Sequence, residues 1–264
     1  MKTSAIKPGS DGSGPREKIA FIQGASRGIG LALTAALLAE KEYGSVFASC
    51  RRPDAASGLN ALASRSARLE ILRLDVLDQA SIEASAGTVM RAAGRLDLLV
   101  NCAGVLHAEG QLWPEKRLAD VDPDAMDASF RVNALGPLLV ARGFEPALKA
   151  SSDARFAALS ARVGSIADNR SGGWYAYRAS KAALNMMIRT LAVEWMRLPR
   201  PIGCFALHPG TVATGLSAPF SQNLSTKQVF NTDEAAAKLL YVLHSLSAEH
   251  SGGFFAYDGS RIEW

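Results

Sequence analysis

With 264 residues, 48% of them hydrophobic and 20% charged, the chain fits one globular domain with a sizeable core. Its net charge of +4 comes from basic residues scattered along the sequence, which argues against nucleic-acid binding. No apolar run approaches the ~18 residues of a membrane span, and three widely spaced cysteines argue against a disulfide framework. We therefore expect a cytoplasmic protein that binds neither nucleic acid nor membrane.

Residues 1–17 are predicted to form a flexible tail, because they are rich in Gly and Ser and lack the apolar stretch of a secretory signal. From residue 18 to 264, short apolar runs alternate with helical stretches, without a repeat or a low-complexity block. This alternation predicts a single doubly wound, Rossmann-type α/β domain with a mostly parallel sheet flanked by helices.

A glycine-rich turn separates a predicted strand at 18–23 from a predicted helix at 31–40. Glycines let backbone amides and a helix N-terminus approach a phosphate closely, and a turn between strand and helix is where this geometry occurs. We therefore predict that the turn binds the phosphates of a dinucleotide. The predicted contacts lie at Gly24, Ser26, Arg27, Gly28, Ile29 and Gly30.

The next predicted strand, 44–50, ends in Arg51 and Arg52. In dinucleotide-binding folds an acidic residue near this position binds the ribose 2′-OH, whereas an arginine accommodates a 2′-phosphate. No acidic residue follows this strand. We therefore predict that Arg51 or Arg52, together with Arg27, binds a 2′-phosphate, so that the cofactor is NADP and NADPH is preferred over NADH. The alternative is that these are ordinary exposed arginines of a turn.

Four later strands are predicted at 69–76, 96–101, 154–160 and 202–208, and such sheets hold ligands at their strand ends. Asp75 either accepts a hydrogen bond from an adenine amino group or caps the following helix. Further cofactor contacts are predicted at Asp75, Val76, Asn101, Ala103, Gly104, Pro209, Gly210, Val212 and Thr214.

A long helix is predicted over 123–149, with a bend or interruption at Gly136-Pro137. Asn133 lies inside it among apolar residues. The residue is either exposed or capped, or it is a buried amide that fixes a water, since an unpaired buried polar group costs about 1–3 kcal/mol.

Tyr177 and Lys181 are four residues apart on a predicted helix, so their side chains lie on one face. A nearby ammonium favours phenolate, which makes the tyrosine a candidate proton donor or acceptor near neutral pH. The alternative is a common pair on a helix surface.

The stretch 213–232 is polar and poorly periodic, and we interpret it as a mobile substrate lid. Trp113, Trp174 and Phe220 indicate a hydrophobic or aromatic carbonyl substrate, although core or surface aromatics are the commoner explanation. The four histidines show no paired ligand spacing with carboxylates, so no metal is predicted.

Four motifs occur in order along the chain: Gly24-x-x-x-Gly28-x-Gly30, Asn101-Cys-Ala-Gly104, Tyr177-x-x-x-Lys181 and Pro209-Gly210. With them, the chain after the tail resembles a classical short-chain dehydrogenase/reductase. In finer detail the chain resembles the C-factor or sniffer-type carbonyl reductases. This resemblance is carried by Cys50-Arg51, Gly164-Ser165-Ile166 and the Gly253-Phe-Phe tail. The resemblance implies an NADP-dependent oxidoreductase that interconverts a small-molecule carbonyl and alcohol. It also implies a homodimer or homotetramer.

By this resemblance Tyr177 protonates the developing alkoxide, and Lys181 lowers the tyrosine pKa and holds the ribose hydroxyls. Asn133 anchors a water that feeds protons to Lys181.

Two residues depart from the family pattern. Gln23 replaces a threonine before the glycine turn, and Ala161 occupies the place of the serine that orients the substrate carbonyl. Ser160 faces the opposite side of its strand, so Ser165 is the favoured substitute and Ser160 the second candidate. The loss of this serine also leaves open a dinucleotide-binding signalling or sensor protein with weak catalysis, since the subgroup includes signalling proteins.

Overall fold

The computed structural model describes residues 16–108, 112–220 and 229–264. Residues 1–15 of the predicted tail and 221–228 of the predicted lid lie outside the described residues. The strands are β1 Lys18–Gln23, β2 Tyr43–Cys50, β3 Leu69–Arg73, β4 Leu98–Asn101, β5 Arg155–Leu159, β6 Gly203–His208, β7 Thr211–Val212, β8 Val229–Phe230 and β9 Gly253–Ala256. The helices are α1 Gly28–Ala39, α2 Ser57–Ala63, α3 Gln79–Ala93, α4 Pro123–Phe130, α5 Gly136–Lys149, α6 Tyr175–Trp195 and α7 Thr232–Ser245.

Seven strands form one sheet in the order β3-β2-β1-β4-β5-β6-β9, and every neighbouring pair is parallel. The predicted doubly wound α/β fold is therefore confirmed. The order runs outward in opposite directions from β1 and β4, which makes their boundary the topological switch point where such sheets bind ligands. Gln23 and Asn101 are paired at the carboxyl ends of these two strands.

The core lies on both faces of the sheet, because strands covered on both sides bury every residue in turn. On one face Phe21 packs with Phe144 of α5 and Ile188 of α6. On the other face Ile22 packs with side chains of α1 and α7. No helix in the described part of the chain is long and apolar enough to cross a membrane.

The helix predicted over 123–149 is divided into α4, a π-helical segment at Arg131–Leu135, and α5. Pro137 has no N–H for the Asn133 carbonyl, and Gly136 N–H instead donates to the Arg131 carbonyl five residues back. The predicted interruption is confirmed, but it begins one turn before Gly136. Its consequence is that Asn133 faces the interior from a widened turn.

Three predicted boundaries differ from the structure. Helix α1 begins at Gly28 rather than at 31, because the end of the glycine turn is already helical. Strand β3 ends at Arg73 rather than 76, since Asp75 N–H donates to the Ser81 hydroxyl instead of continuing the sheet. The described parts of 213–232 are not one irregular loop, because they include a short turn at Ala218–Phe220 and strand β8, which pairs with β7.

Candidate active site

The glycine turn is held tightly against the ends of three strands. Gly24 has φ of +82°, and a Cβ there would lie 2.8 Å from the Ala103 nitrogen that follows β4. The N–H groups of Gly24 and Ala25 donate to the Ser49 carbonyl of β2 at 3.0 and 2.9 Å. A side chain at Gly24 would therefore both strain the turn and push β4 away.

The turn faces the loop that follows β6. Gly28 has φ of +59°, and a Cβ there would lie 3.4 Å from Thr214 Cγ2. The predicted contacts at Gly28 and at Thr214 therefore lie next to each other. Ser26 and Ile29 belong to the same turn, at the N-terminus of α1, where backbone N–H groups and the helix dipole favour an anion.

Three arginines lie in this turn or follow the neighbouring strand. Arg51 and Arg52 follow β2, and Arg27 directly precedes α1; all three are exposed. Within 16–108, 112–220 and 229–264, none of their side chains makes a hydrogen bond or an ion pair. Free guanidinium groups beside a helix N-terminus suit a phosphate-rich ligand, so the donor set fits a dinucleotide.

The side chains at the ends of β1 and β4 also fit a polar ligand. Gln23 Oε1 accepts a hydrogen bond from Ala103 N–H at 3.2 Å, so the residue that replaces threonine still ties β1 to the loop after β4. Asn101 Oδ1 is buried and has no hydrogen-bond partner among the described residues. A buried acceptor of this kind is normally satisfied, and this one lies at the switch point.

Asp75 does not cap α3. The cap is Asp78, whose Oδ1 accepts from Ser81 N–H at 3.2 Å, because α3 begins at Gln79. Asp75 Oδ1 accepts from Leu77 N–H in a local turn. Val76 is buried and packs against Gly136, so only its backbone is left for a ligand.

Tyr177 and Lys181 lie in the first two turns of α6, and both are buried. Lys181 Nζ donates to the carbonyl of Leu159, the last residue of β5, at 2.8 Å. The same Nζ lies 5.8 Å from the centroid of the Tyr177 ring. The Tyr177 hydroxyl makes no hydrogen bond to any residue that the structure describes. The pair therefore converges as predicted, with its phenol uncommitted.

The electrostatics of this pair differ from the expectation. Burial lowers the pKa of Lys181 from its usual 10.5 to about 8. Burial also raises the pKa of Tyr177 well above its usual value, and no charged neighbour offsets this. Desolvation penalises the charged form of both groups, so the net pKa of Tyr177 lies above and not below its usual value. The effect of the Lys181 charge on the tyrosine stays a prediction.

Asn133 is fully buried, and protein groups satisfy its side-chain amide. Oδ1 accepts from Val105 N–H and Nδ2 donates to the Val105 carbonyl, both at 2.8 Å. Nδ2 also lies 3.1 Å from the hydroxyls of Ser129 and Ser180. The alternative of an exposed or capped asparagine is therefore wrong. The amide fixes the loop after β4, and a Cβ on Gly104 would lie 3.3 Å from Oδ1 and 3.5 Å from Lys181 Nζ.

The two candidate serines are both buried, but they differ in whether the hydroxyl proton is already donated within the protein. Ser160 Oγ donates to Asn185 Oδ1 at 2.6 Å, so its proton is used inside the protein. Ser165 Oγ accepts from Asp168 N–H at 3.1 Å and keeps its own proton free to donate. Ser165 also follows Gly164, which packs against the Cβ of Lys181. Of the two, Ser165 is the one with a donor available.

Sequence reasoning missed His208, the last residue of β6. Its Nδ1 accepts a hydrogen bond from Arg162 N–H at 3.4 Å, and burial lowers its pKa to about 4. The neutral imidazole joins the exit of β5 to that of β6. Gly210, two residues on, has φ of +80° and packs against Phe230 and Tyr257, and Val212 is buried in β7. The Leu-His-Pro-Gly sequence at a strand end is the signal that could have marked it.

The start of α6 depends on Glu115, which sequence reasoning also missed. This carboxylate is 4% exposed, and its two oxygens lie 3.3 and 3.2 Å from Ala176 N–H. Trp174, the residue before the helix, supplies no side-chain cap. Glu115 therefore caps α6 from the loop after β4, and a negative charge is favoured at a helix N-terminus. No local pattern marks a cap that comes from a distant segment.

We expect Glu115→Ala to lower the free energy of unfolding by about 1–2 kcal/mol, the usual cost of losing a cap or a charge at a helix N-terminus. Glu115→Gln, which keeps an acceptor oxygen, should lose less. Urea denaturation measures both. The control is Glu194→Ala, at an exposed residue of the same helix. A Glu115→Ala protein as stable as this control would show that Glu115 does not cap the helix.

Outside this region, His244 lies with Glu40 and Glu42, and their potential ligand atoms are within 4.8 Å of one another. The sequence spacing did not reveal this group, because it joins the end of α1 to α7. Lys18 Nζ lies 2.9 Å from Glu42, and Tyr43 OH lies 3.3 Å from His244 Nε2. The cluster is therefore already an ion-pair network. It lies at the amino ends of the strands, opposite the end that carries the glycine turn.

The fold and these residues define a class of protein. The sequence matches the short chain dehydrogenase family over residues 18–225. The chain belongs to this family of oxidoreductases, whose members bind a nicotinamide dinucleotide and act on small molecules.

Within the family the chain is similar to carbonyl reductases and to C-signal. NADPH-bound carbonyl reductase from chicken fatty liver has a TM-score of 0.84 and 34% identity, with 94% of this chain and 100% of that chain covered. Carbonyl reductase Sniffer of Drosophila melanogaster has a TM-score of 0.84 and 26% identity, covering 94% and 99%. C-signal of Myxococcus xanthus is 38% identical over 171 residues, which are 65% of this chain and 94% of that protein.

Proposed function

We propose that the protein is an NADPH-dependent oxidoreductase that interconverts a carbonyl and an alcohol, with Tyr177 as general acid and base. The observation that carries this proposal is the uncommitted Tyr177 hydroxyl, on a ring whose centroid lies 5.8 Å from Lys181 Nζ, at the same end of the sheet as the glycine turn. Proximity of a proton donor to a bound cofactor is what a hydride-transfer enzyme must supply.

The cofactor site is assigned to the glycine turn, the three free arginines and the strand ends. NADP is supported by the unpaired guanidinium groups of Arg27, Arg51 and Arg52, which suit a 2′-phosphate, and by similarity to a carbonyl reductase that binds NADPH. Asn101 Oδ1 offers a buried acceptor. The remaining contacts are assigned at Asp75, Val76, Ala103, Gly104, Pro209, Gly210, Val212 and Thr214, with Lys181 holding the ribose hydroxyls.

In the proposed reaction the bound nicotinamide supplies the hydride, and this chain supplies the proton. Tyr177 donates its phenolic proton to the developing alkoxide, and the resulting phenolate is stabilised by the Lys181 ammonium. With a pKa of about 8, Lys181 is mostly protonated at neutral pH. The high pKa of Tyr177 keeps the phenol protonated until a substrate draws on it.

Two further residues support this step in the proposal. Ser165 holds the substrate carbonyl, because its hydroxyl proton is free while that of Ser160 is bound to Asn185. Asn133 holds a water that returns the proton through Lys181. Its amide is fully used, so the water is assigned to its main-chain carbonyl, which receives no α-helical hydrogen bond from Pro137.

The proposal is tested by direct assay. NADPH should quench tryptophan fluorescence and should be oxidised when aldehydes, ketones and quinones are added singly. A protein that binds no NADPH and oxidises none with the whole panel would contradict it.

A second candidate is a dinucleotide-binding signalling or sensor protein with weak catalysis. Ala161 in place of a hydroxyl and the internal bond of Ser160 favour it, and the similarity to C-signal is consistent with it. Tyr177→Phe and Arg51→Ala separate the two candidates. An enzyme loses turnover with the first variant, whereas a sensor responds only to the second.

We expect Arg51→Ala to weaken NADPH binding by about tenfold to a hundredfold, as charge-assisted hydrogen bonds contribute about 1.5–3 kcal/mol. NADH binding should change little, because NADH has no 2′-phosphate. Fluorescence titration with both cofactors measures this. The matched control is Arg65→Ala, at an exposed arginine beyond α2. Equal losses for NADPH and NADH would show that Arg51 does not bind the 2′-phosphate.

We also propose that the protein assembles as a homodimer or homotetramer through its long helices, in the cytoplasm. The exposed Met186 and Val193, seven residues apart on α6, support an apolar face there.

A further inference from the structure

Four aromatic rings from three separate loops meet beside Tyr177. Trp174 lies just before α6, and its ring centroid is 6.3 Å from that of Tyr177 and 5.0 Å from that of Phe220. Trp113, from the loop after β4, lies 5.3 Å from Phe220. His107 lies 5.6 Å from Trp113 and 5.8 Å from Phe220. The rings form a continuous row that leads to the catalytic phenol.

The row is open at its outer end. Trp113 is 56% exposed, and Trp174 and Phe220 are each partly exposed. His107 Nε2 is fixed by the Gly215 carbonyl at 2.9 Å, which joins the first loop to the third. Every ring pair is tilted or edge-on, so the faces are not stacked on one another. Exposed ring faces next to a reactive group are available to a ligand.

Trp174 is held in this row by its backbone. It has φ of +53°, the one positive φ among the described non-glycine residues, and it follows Gly172 and Gly173, which are also left-handed. Its N–H donates to the Glu115 carbonyl at 2.6 Å, and its carbonyl accepts from Arg178 N–H at 2.8 Å. A bulky residue persists in this conformation only where its surroundings impose it, and such strain gathers at functional sites. Glycine would fill the position without strain, whereas tryptophan places a ring against Tyr177 and Phe220.

We propose that Trp174 is a specificity-determining residue on which a planar aromatic carbonyl compound stacks beside Tyr177, with Phe220 and Trp113 as the outer wall. The inference rests on the proposed function and specifies its substrate class. A flat ring gains stacking and edge-to-face contacts that a saturated ring of the same size does not.

The matched ligands are acetophenone and cyclohexyl methyl ketone, which share a carbon skeleton and differ in the ring. We expect the wild type with NADP to bind acetophenone about fivefold to tenfold more tightly, as an aromatic pair contributes at that level. Trp174→Phe should keep this preference and Trp174→Leu should lose it. Both variants carry the same backbone penalty, so their difference reports the ring. Tyr241→Leu, at an exposed ring on α7, is the control and should match the wild type.

Binding is measured by calorimetry and kcat/KM by NADPH oxidation, so the two proposals fail separately. Turnover of both ketones with equal binding would overturn the stacking inference and leave the reductase intact. A binding preference that Trp174→Leu abolishes, with no NADPH oxidation by these ketones or by the wider carbonyl panel, would support the inference and overturn the reductase. Trp113→Leu, at a ring exposed enough not to threaten folding, should reduce the preference in part, and a preference unchanged in both Leu variants would overturn the inference.

Discussion

Tyr177→Phe is expected to lower kcat for carbonyl reduction by about 10²–10⁴, the range that general acid catalysis contributes. The substitution removes only the hydroxyl and keeps the ring that packs against Trp174. That hydroxyl has no hydrogen-bond partner among the described residues. The free energy of unfolding, measured with urea, should therefore change by less than about 1 kcal/mol. NADPH binding should be retained.

The matched control is Tyr175→Phe, two residues earlier on the same helix, where the side chain is 39% exposed. Steady-state NADPH oxidation and fluorescence titration on both variants separate loss of chemistry from loss of binding. Full activity in Tyr177→Phe would remove this tyrosine from the mechanism, and so would an equal loss in both variants.

Lys181→Met is expected to abolish turnover and to change how stability depends on pH. The folded protein holds the Lys181 pKa at about 8, below the 10.5 of an unfolded chain. Between these values the unfolded state binds more protons, so wild-type stability contains a contribution that rises with pH across this window. At 1.36 kcal/mol per pH unit the contribution amounts to roughly 3 kcal/mol. Methionine, which does not titrate, removes it.

The comparison to make is the difference in unfolding free energy between wild type and Lys181→Met, from pH 7 to pH 10.5. As pH rises, the free energy of unfolding of the wild type should increase relative to that of the variant. At pH 7 the lost hydrogen bond to Leu159 offsets part of what the variant gains by burying no charge. Lys41→Met, at an exposed lysine, should show no such trend. A difference that stays flat with pH would contradict a depressed lysine pKa.

The local patterns predicted the fold, and they predict a candidate site at the carboxyl ends of its strands. The glycine turn between β1 and α1, and the four-residue spacing of Tyr177 and Lys181, each depend on residues close in sequence, and the structure places both as expected. Parallel strand ends necessarily meet at one edge, so Asn101 and the turn could be placed together without coordinates.

The remaining features depend on contacts between distant segments. Whether Lys181 lowers the pKa of Tyr177 is decided by burial, which no spacing reports. Which of Asp75 and Asp78 caps α3 depends on the residue at which the helix begins, and that residue is Gln79. Glu115 reaches α6 from a loop some sixty residues earlier, as the 61-residue separation of its bond to Ala176 shows. The same holds for Ser160, whose partner Asn185 lies 25 residues away.

In the proposed reaction a bound nicotinamide would supply hydride to a carbonyl carbon next to Tyr177. The most direct measurement uses NADPH deuterated at C4 on each face in turn, with acetophenone as acceptor and mass spectrometry of the product. One of the two labelled cofactors is expected to deliver deuterium to the carbinol carbon. Alcohol formed without deuterium from either, or no alcohol at all with this ketone and the wider carbonyl panel, would contradict it.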